Sequence, residues 1–346
     1  MSSWDVIIAG AGLAGVLTAL ELRERRISVL MLERGEPGRE ASTAAAGMLA
    51  ATDPQTPPPL RAMALESARI YPEFVRTLER STGIDIDFRR QGTIVLGEEA
   101  PPASYQQLSP EDLERIEPWL QAHGRPAFLV AEDTIDPVPL MQAAIRAAEL
   151  AGIEIRTKVA VQQMRWNGNQ VEVTTDKGTL KAQSAINCMG AWSGAPVKPR
   201  KGQMLYLQPT RPAGLQHVVR APEVYIVPRS SGKVLLGTTV EDVGFDKSVR
   251  TETIQALHDA AGRYVPELAT ARVTDKWAGL RPGSPDDLPL IGPTDERNVF
   301  LASGLFRNGI LLAPLTGKIA ADLVMGRRPE IDITAFSPSR FAKAGN

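Results

Sequence analysis

The chain has 346 residues, and its 39 basic and 40 acidic side chains leave a formal net charge of −1. Charges of both signs are interspersed, which excludes a nucleic-acid footprint or a basic membrane-binding face, and the length favours two lobes because single cores stop growing near about 250–300 residues. A lone cysteine, Cys188, excludes an intrachain disulfide, and no basic leader precedes the first apolar strand, so a reducing compartment, the cytoplasm, is expected.

The first element is DVIIAGAGLAG, Asp5 to Gly15, a short apolar strand running into Gly10, Gly12 and Gly15 at G-x-G-x-x-G spacing. In such a unit the first glycine makes the tight turn, the second lets backbone approach a pyrophosphate, and the third lets helix pack on strand. The N-terminus of the following helix then offers N–H groups to phosphates. Leu17, Leu20 and Leu22 mark that helix, and ISVLMLE is a second strand closing on Glu33, 18 residues beyond Gly15. A carboxylate about 20 residues on is placed to accept hydrogen bonds from a ribose. The glycines do not distinguish nicotinamide from flavin. In EASTAAAGMLA, Glu40 to Ala50, the side chains are small, with Ser42 and Thr43 the only hydroxyls and Gly47 near the end. Such a segment can lie flat against a large planar ligand; in isolation it equally fits a linker or a helix start.

A proline-rich break, 54–59, precedes a helix predicted over Leu60 to Ser81. Two short strands, Ile84–Arg89 and Thr93–Leu96, are expected to meet at a turn around Gly92. Ser109 and Pro110 suit the N-cap and first position of a short helix. Asp136 and Pro137 start a helix to about Ala151, followed by strand, the Asn167–Gly168 turn and strand again. AQSAINCMGAWSG reads as a buried strand entering a small-residue turn at Gly190. Antiparallel alternation in MLYLQP, EVYIVPR and KVLLGTTV leads to a helix over Thr251–Tyr264, a strand ending at Arg281 and a long last helix. The fold class is α/β: a discontinuous Rossmann-like domain of residues 1–82, 133–196 and 285–346, with a second α+β domain on a mainly antiparallel sheet, 83–132 and 197–284.

WAGLRPGSPDDLPLIGP places Arg281 between Leu280 and Pro282 in a segment otherwise of apolar strand and turn. A guanidinium is a planar fork that pairs bidentately with a carboxylate, and Pro282 biases Arg281 toward extended backbone. An ion pair with Asp286 or Asp287 would satisfy the same residue without a ligand. His123, His217 and His258 fall outside the motifs and read as surface or satisfied side chains, and Cys188 as a buried small apolar one.

Three segments together, IIAGAGLAG…LE with STAAAGML, WAGLRPGSPDDLPLIGP, and SGLFRNGILLAPLTGKIAADLV, resemble the D-amino-acid oxidase superfamily of flavoproteins, and within it the glycine oxidases of the thiamin pathway. The resemblance runs nearly end to end. It implies noncovalent FAD, oxidation of a small amino acid such as glycine, sarcosine or a small D-amino acid to its imine, and reduction of O2 to hydrogen peroxide. Carried over by position, cofactor contacts fall at Gly10, Gly12, Leu13, Ala14 and Gly15, at Glu33 and Arg34, at Ala41 and Ser42, along Ala46, Gly47 and Met48, at Val159 and Gly190, and over Leu305, Phe306, Arg307, Asn308, Gly309, Ile310 and Leu311. The substrate carboxylate falls to Arg281, helped by Tyr225 and Arg307, with Met48, Ala50 and Val240 lining the rest. Two cations facing one carboxylate repel, so Arg307 is expected to be the more distant or partly shielded one. No catalytic acid, base or metal is implied, because the chemistry needs placement of a neutral amine. The start of the last helix is expected to face the negative charge of the reduced flavin. Ala50 and Glu223 depart from the pattern, standing where glycine and histidine often occur. The resemblance also implies a homotetramer and transfer of the imine to a thiazole synthase. A dehydrogenase passing electrons to a quinone or carrier, and a flavin-binding module without catalysis, are the alternatives.

Overall fold

The computed structural model describes residues 4–97, 101–211 and 214–341. The chain opens with β1 (Trp4–Ala9), α1 (Leu13–Glu24), β2 (Val29–Leu32), α2 (Ala41–Ala44), β3 (Met48–Leu49) and the long α3 (Arg61–Thr82). There follow β4 (Phe88–Arg89), β5 (Thr93–Leu96), β6 (Gln106–Leu108), α4 (Pro110–Ile116), β7 (Ala127–Val130), β8 (Asp133–Ile135) and α5 (Pro137–Leu150). Next come β9 (Glu154–Arg156), β10 (Val161–Trp166), β11 (Val171–Thr175), β12 (Gly178–Asn187), β13 (Lys198–Gln208), β14 (Val218–Arg220), β15 (Tyr225–Pro228) and β16 (Val234–Gly237). The chain finishes with α6 (Thr251–Tyr264), β17 (Arg272–Gly283), β18 (Leu290–Pro293), β19 (Val299–Ser303) and α7 (Gly309–Val324).

Apolar β1 lies inside the first sheet, ordered β10-β11-β12-β1-β2-β9, with β19 beside β12 and β18 beside β19. It pairs in parallel with both β2 and β12. Its last four residues are buried: Val6 and Ile8 lie in the core that α1, α5 and α7 share, and Ile7 lies in a separate cluster with Val171 and Val173 of β11. The Asn167 side chain accepts from the backbone N–H groups of Asn169 and Gln170 and so closes the β10–β11 hairpin. The second sheet runs β17-β13-β16-β15-β14-β5-β7-β6 and is antiparallel apart from the β14–β5 pair. A third, small sheet is β3-β8-β4. Thus the architecture is α/β with a second, mainly antiparallel sheet.

Helix signals in the sequence translate directly. Ser109 accepts from Asp112 N–H at 3.1 Å and Asp136 from Val138 N–H at 2.9 Å, capping α4 and α5. A less obvious contact orients the last helix. Pro314 lies inside α7 and has no N–H to give the carbonyl four residues back, that of Ile310. The buried Tyr71 hydroxyl of α3 donates to that carbonyl instead, at 2.8 Å, and Ser67 donates to Leu311 O at 2.5 Å.

One expectation needs correction. The segments around Gly92 do not form a hairpin: only Phe88–Arg89 is strand, pairing with β8, while β5 pairs with β7 and β14 in another sheet. The ladder partners of the two segments lie elsewhere in the chain, so Gly92 transfers the backbone between sheets. The stretch from Glu40 to Ala50 forms α2 and then β3, so of the readings left open for it in isolation the helix start is the one that appears. Among the described residues no helix is long and apolar enough to cross a membrane.

Candidate active site

A cavity of about 920 Å³ runs from the turn before α1 to strands of the second sheet. At its first end Gly10 has φ 98°, and a Cβ there would lie 2.4 Å from the Cys188 carbonyl oxygen, so only glycine fits. The turn is braced from inside. Glu33 accepts from Ala11 N–H at 2.8 Å with one oxygen and from Gly35 N–H at 2.9 Å with the other, and Ser42 Oγ accepts from Leu13 N–H at 2.9 Å. Each of these oxygens retains acceptor capacity toward a ligand. The Arg34 guanidinium lies 3.6 Å from the centre of the Trp192 ring and pairs with Glu40 at 3.0 Å. Burial pushes the nearby Cys188 thiol up to about 12, so it stays a neutral thiol.

The middle of the cavity is walled by Ala41, Ser42, Ala44, Ala45, Ala46, Gly47 and Met48. Arg229, nearly fully buried, holds this wall by donating to Ala46 O at 2.6 Å and Ile135 O at 3.1 Å.

The far end centres on Arg281. Its strand, β17, pairs with β13 over residues 272–283, and across this pair Gly202 offers a bare backbone. The guanidinium lies over it: a Cβ on Gly202 would sit 2.3 Å from one Arg281 terminal nitrogen and 2.4 Å from the other. Arg281 donates to Thr239 O at 3.1 Å and to Thr238 Oγ1 at 2.8 Å. Those acceptors are fixed in turn, with Thr239 Oγ1 on Glu241 at 2.5 Å and the wholly buried Lys201 3.6 Å from Glu241 and 3.2 Å from Asp246. Among the described residues no carboxylate pairs with Arg281. Asp286 is bound by Arg340 at 2.9 Å instead, so the ligand-free ion pair weighed from the sequence does not form. Burial lowers the Arg281 pKa, Tyr225 opposing and Arg307 adding to the effect; a guanidinium nevertheless remains charged. A desolvated cation without its anion is costly, and a ligand carboxylate relieves it.

Tyr225 on β15 is seated the same way. A Cβ on Gly237 would come 2.5 Å from its hydroxyl oxygen. Its hydroxyl points to Met204 Sδ at 3.5 Å, and burial raises its pKa against the opposing effect of Arg281. Arg307 precedes α7, 3.5 Å from Asp53 Oδ2, and also donates to Gln55. Asp53 in turn binds Arg220 at 3.0 Å, whose other terminal nitrogen meets Glu132 and Tyr105, each at 3.1 Å.

Most of the residues picked from the sequence line this one cavity: Gly10, Gly12, Leu13, Ala14, Gly15, Glu33, Arg34, Val159, Gly190, Leu305, Phe306, Gly309 and Ile310, besides the middle wall, Tyr225, Val240, Arg281 and Arg307. Three of the chosen positions are not among its lining. Ala50 is buried below it, its carbonyl accepting from Asp53 N–H at 3.4 Å. Asn308 donates its N–H back to Leu305 O at 3.0 Å. Leu311 is buried in the core between helices and receives Ser67. The exposed Glu223 engages Tyr264 at 2.7 Å. His123, His217 and His258 each bond a partner outside the cavity, namely Arg263 O, Glu117 and Leu268 O. Trp192, Asp53, Arg220 and Tyr105 line the cavity but carry no motif. Asp53 and Arg220 are 167 residues apart, so only folding joins them.

A long cavity with a glycine turn at one end, a wall of small side chains and a lone guanidinium at the other fits a dinucleotide with a small acid beyond it. Residues 5–323 match the family described as FAD dependent oxidoreductase, DAO. The chain is 35% identical over 361 residues to the bifunctional protein ThiO/ThiG of Synechocystis sp., covering 99% of this chain but only 55% of that protein. It is 33% identical over 358 residues to glycine oxidase of Pseudomonas aeruginosa, covering 96% of this chain and 98% of that one. The crystal structure of glycine oxidase from Geobacillus kaustophilus superposes with a TM-score of 0.93 at 32% identity, over 98% of this chain and 99% of that chain. With the fingerprint turn and the guanidinium end on one cavity, and the match spanning both sheets, the chain belongs to the DAO family of FAD-dependent oxidoreductases.

Proposed function

We propose that the protein oxidises the amine of glycine and other small amino acids to the imine, which water converts to the 2-oxo acid, with O2 reduced to hydrogen peroxide. The carrying observation is Arg281, a half-buried guanidinium on the cavity with two neutral acceptors and no carboxylate partner among the described residues. Glycine as substrate is supported by the glycine oxidases among the relatives.

When bound, FAD supplies the two-electron acceptor, and the turn from Gly10 to Gly15, Glu33, Ser42 and the small wall through Met48 are the residues that would hold it. The chain's own task is placement. Arg281 grips the substrate carboxylate in a fork, which fixes the orientation of Cα as well as the charge. Tyr225, kept protonated by its raised pKa, offers a hydroxyl beside that grip. Met48 and Val240 line the remaining cavity. The substrate nitrogen must be neutral so that its lone pair can form the C=N bond as the Cα hydrogen leaves with its electron pair. Anaerobic mixing of the holoprotein with glycine should bleach the flavin absorption; an unchanged spectrum with every small amino acid rejects the reading. Peroxide yield against dye reduction separates oxidase from dehydrogenase.

We extend the reading to delivery of glycine imine to a thiazole synthase, a homotetramer and a cytoplasmic location. ThiO/ThiG relatives support the first, and the single cysteine, buried, suits a reducing compartment. Light scattering of the purified protein tests the tetramer.

A further inference from the structure

We propose that Asp53 is a specificity-determining residue that restricts the cavity to amino acids bearing one carboxylate. The proposal rests on the assignment of Arg281 to the substrate carboxylate. Three guanidiniums line this end of the cavity, those of Arg220, Arg281 and Arg307. Two carboxylates answer them. Asp53 bridges Arg220 at 3.0 Å and Arg307 at 3.5 Å through the same oxygen, while Glu132, almost wholly buried, meets the second nitrogen of Arg220 at 3.1 Å. At the rim, Glu223 is answered by Arg125 at 3.7 Å and Arg263 at 4.0 Å. Three cations against two anions leave one unmatched positive charge, and the pairing puts it on Arg281. One substrate carboxylate completes the balance. A second carboxylate would have to displace Asp53 from Arg307 and lie close to its negative charge, an arrangement that repels.

The geometry also says which cation Asp53 conceals. Arg220 is held on three sides, by Asp53, Glu132 and Tyr105, and its side chain is 15% exposed, whereas that of Arg307 is 43% exposed with Asp53 as its one carboxylate among the described residues. Asp53→Asn keeps the shape and an acceptor for Arg220, removes the negative charge, and uncovers Arg307 to the cavity.

The test titrates FAD-loaded protein with two unreactive acids, glycolate and malonate, by the perturbation of the flavin spectrum, so that turnover is not needed. Wild type should bind glycolate more tightly than malonate; equal or reversed affinity overturns the proposal whether or not any variant folds. In Asp53→Asn the malonate-to-glycolate affinity ratio should rise about tenfold or more, and Asp53→Glu should restore the wild-type ratio. An unchanged ratio in flavin-loaded Asp53→Asn rejects the role of Asp53 while leaving that of Arg281 intact. Glycolate binding that survives Arg281→Met undiminished removes the Arg281 assignment, and this proposal with it.

Discussion

Gly202 has no side chain where Arg281 lies, and a single methyl group there would be 2.3 Å from a guanidinium nitrogen. Because the obstructing atoms are the far end of a flexible side chain, Gly202→Ala should leave the backbone intact and move the guanidinium. KM for glycine should then rise by about tenfold or more, as misplacement of a charged hydrogen-bonding fork costs on the order of 1.5–3 kcal/mol, with flavin content and melting temperature near wild type. Steady-state kinetics beside a flavin absorption ratio read this directly. Tyr225 gives a pH prediction. Burial raises its phenol above the ordinary 10.0, so it keeps its proton as pH rises through neutral into the mildly alkaline range. An alkaline limb in the kcat/KM profile below about pH 10 therefore has another origin, and Tyr225→Phe should raise KM without moving that limb. At this scale the sequence exposes Arg281, because an arginine flanked by glycines and proline in an apolar strand is conspicuous. It hides Gly202, Gly237 and the Asp53–Arg220 pair, because each is defined by what strand pairing and loop closure bring against it.

Elements show a similar division between local and distant causes. Glycine turns, caps and apolar periodicity are local, so α1, α3, α4, α5, α6 and α7 can be anticipated. The supposed hairpin around Gly92 cannot be judged locally, since each flanking segment satisfies its backbone groups on a different sheet. Nor can the docking of α3 on α7, which depends on a missing N–H at Pro314 and a hydroxyl 239 residues from the carbonyl it serves. Removing that hydroxyl in Tyr71→Phe leaves the buried Ile310 carbonyl unanswered and should cost about 1–3 kcal/mol. Pro314→Ala restores an N–H to α7, so the double variant should recover part of the loss. Urea unfolding of the three variants decides between this account and simple packing, which would leave the two changes additive.

For the whole molecule, the fold class follows from a fingerprint unit at one end and alternating antiparallel strands later in the chain. The enclosure of the cavity does not, because its wall combines residues from Gly10 to Ile310 across two sheets. A ligand gripped from both sides stabilises the folded state by mass action. Removing FAD should therefore lower the melting temperature, and re-addition should raise it with concentration until saturation. A melting temperature indifferent to FAD would mean that the folded protein does not bind the cofactor.

The first sheet also imposes a schedule. Its β18 and β19, and the turn at Leu305 to Ile310 that walls the cavity, follow every other described strand of that sheet in the chain, yet β19 lies directly beside β12. During synthesis the earlier strands stand beside an open edge until those residues leave the ribosome, and the cavity wall cannot close before then, so a chain released before β18 should be recovered without flavin.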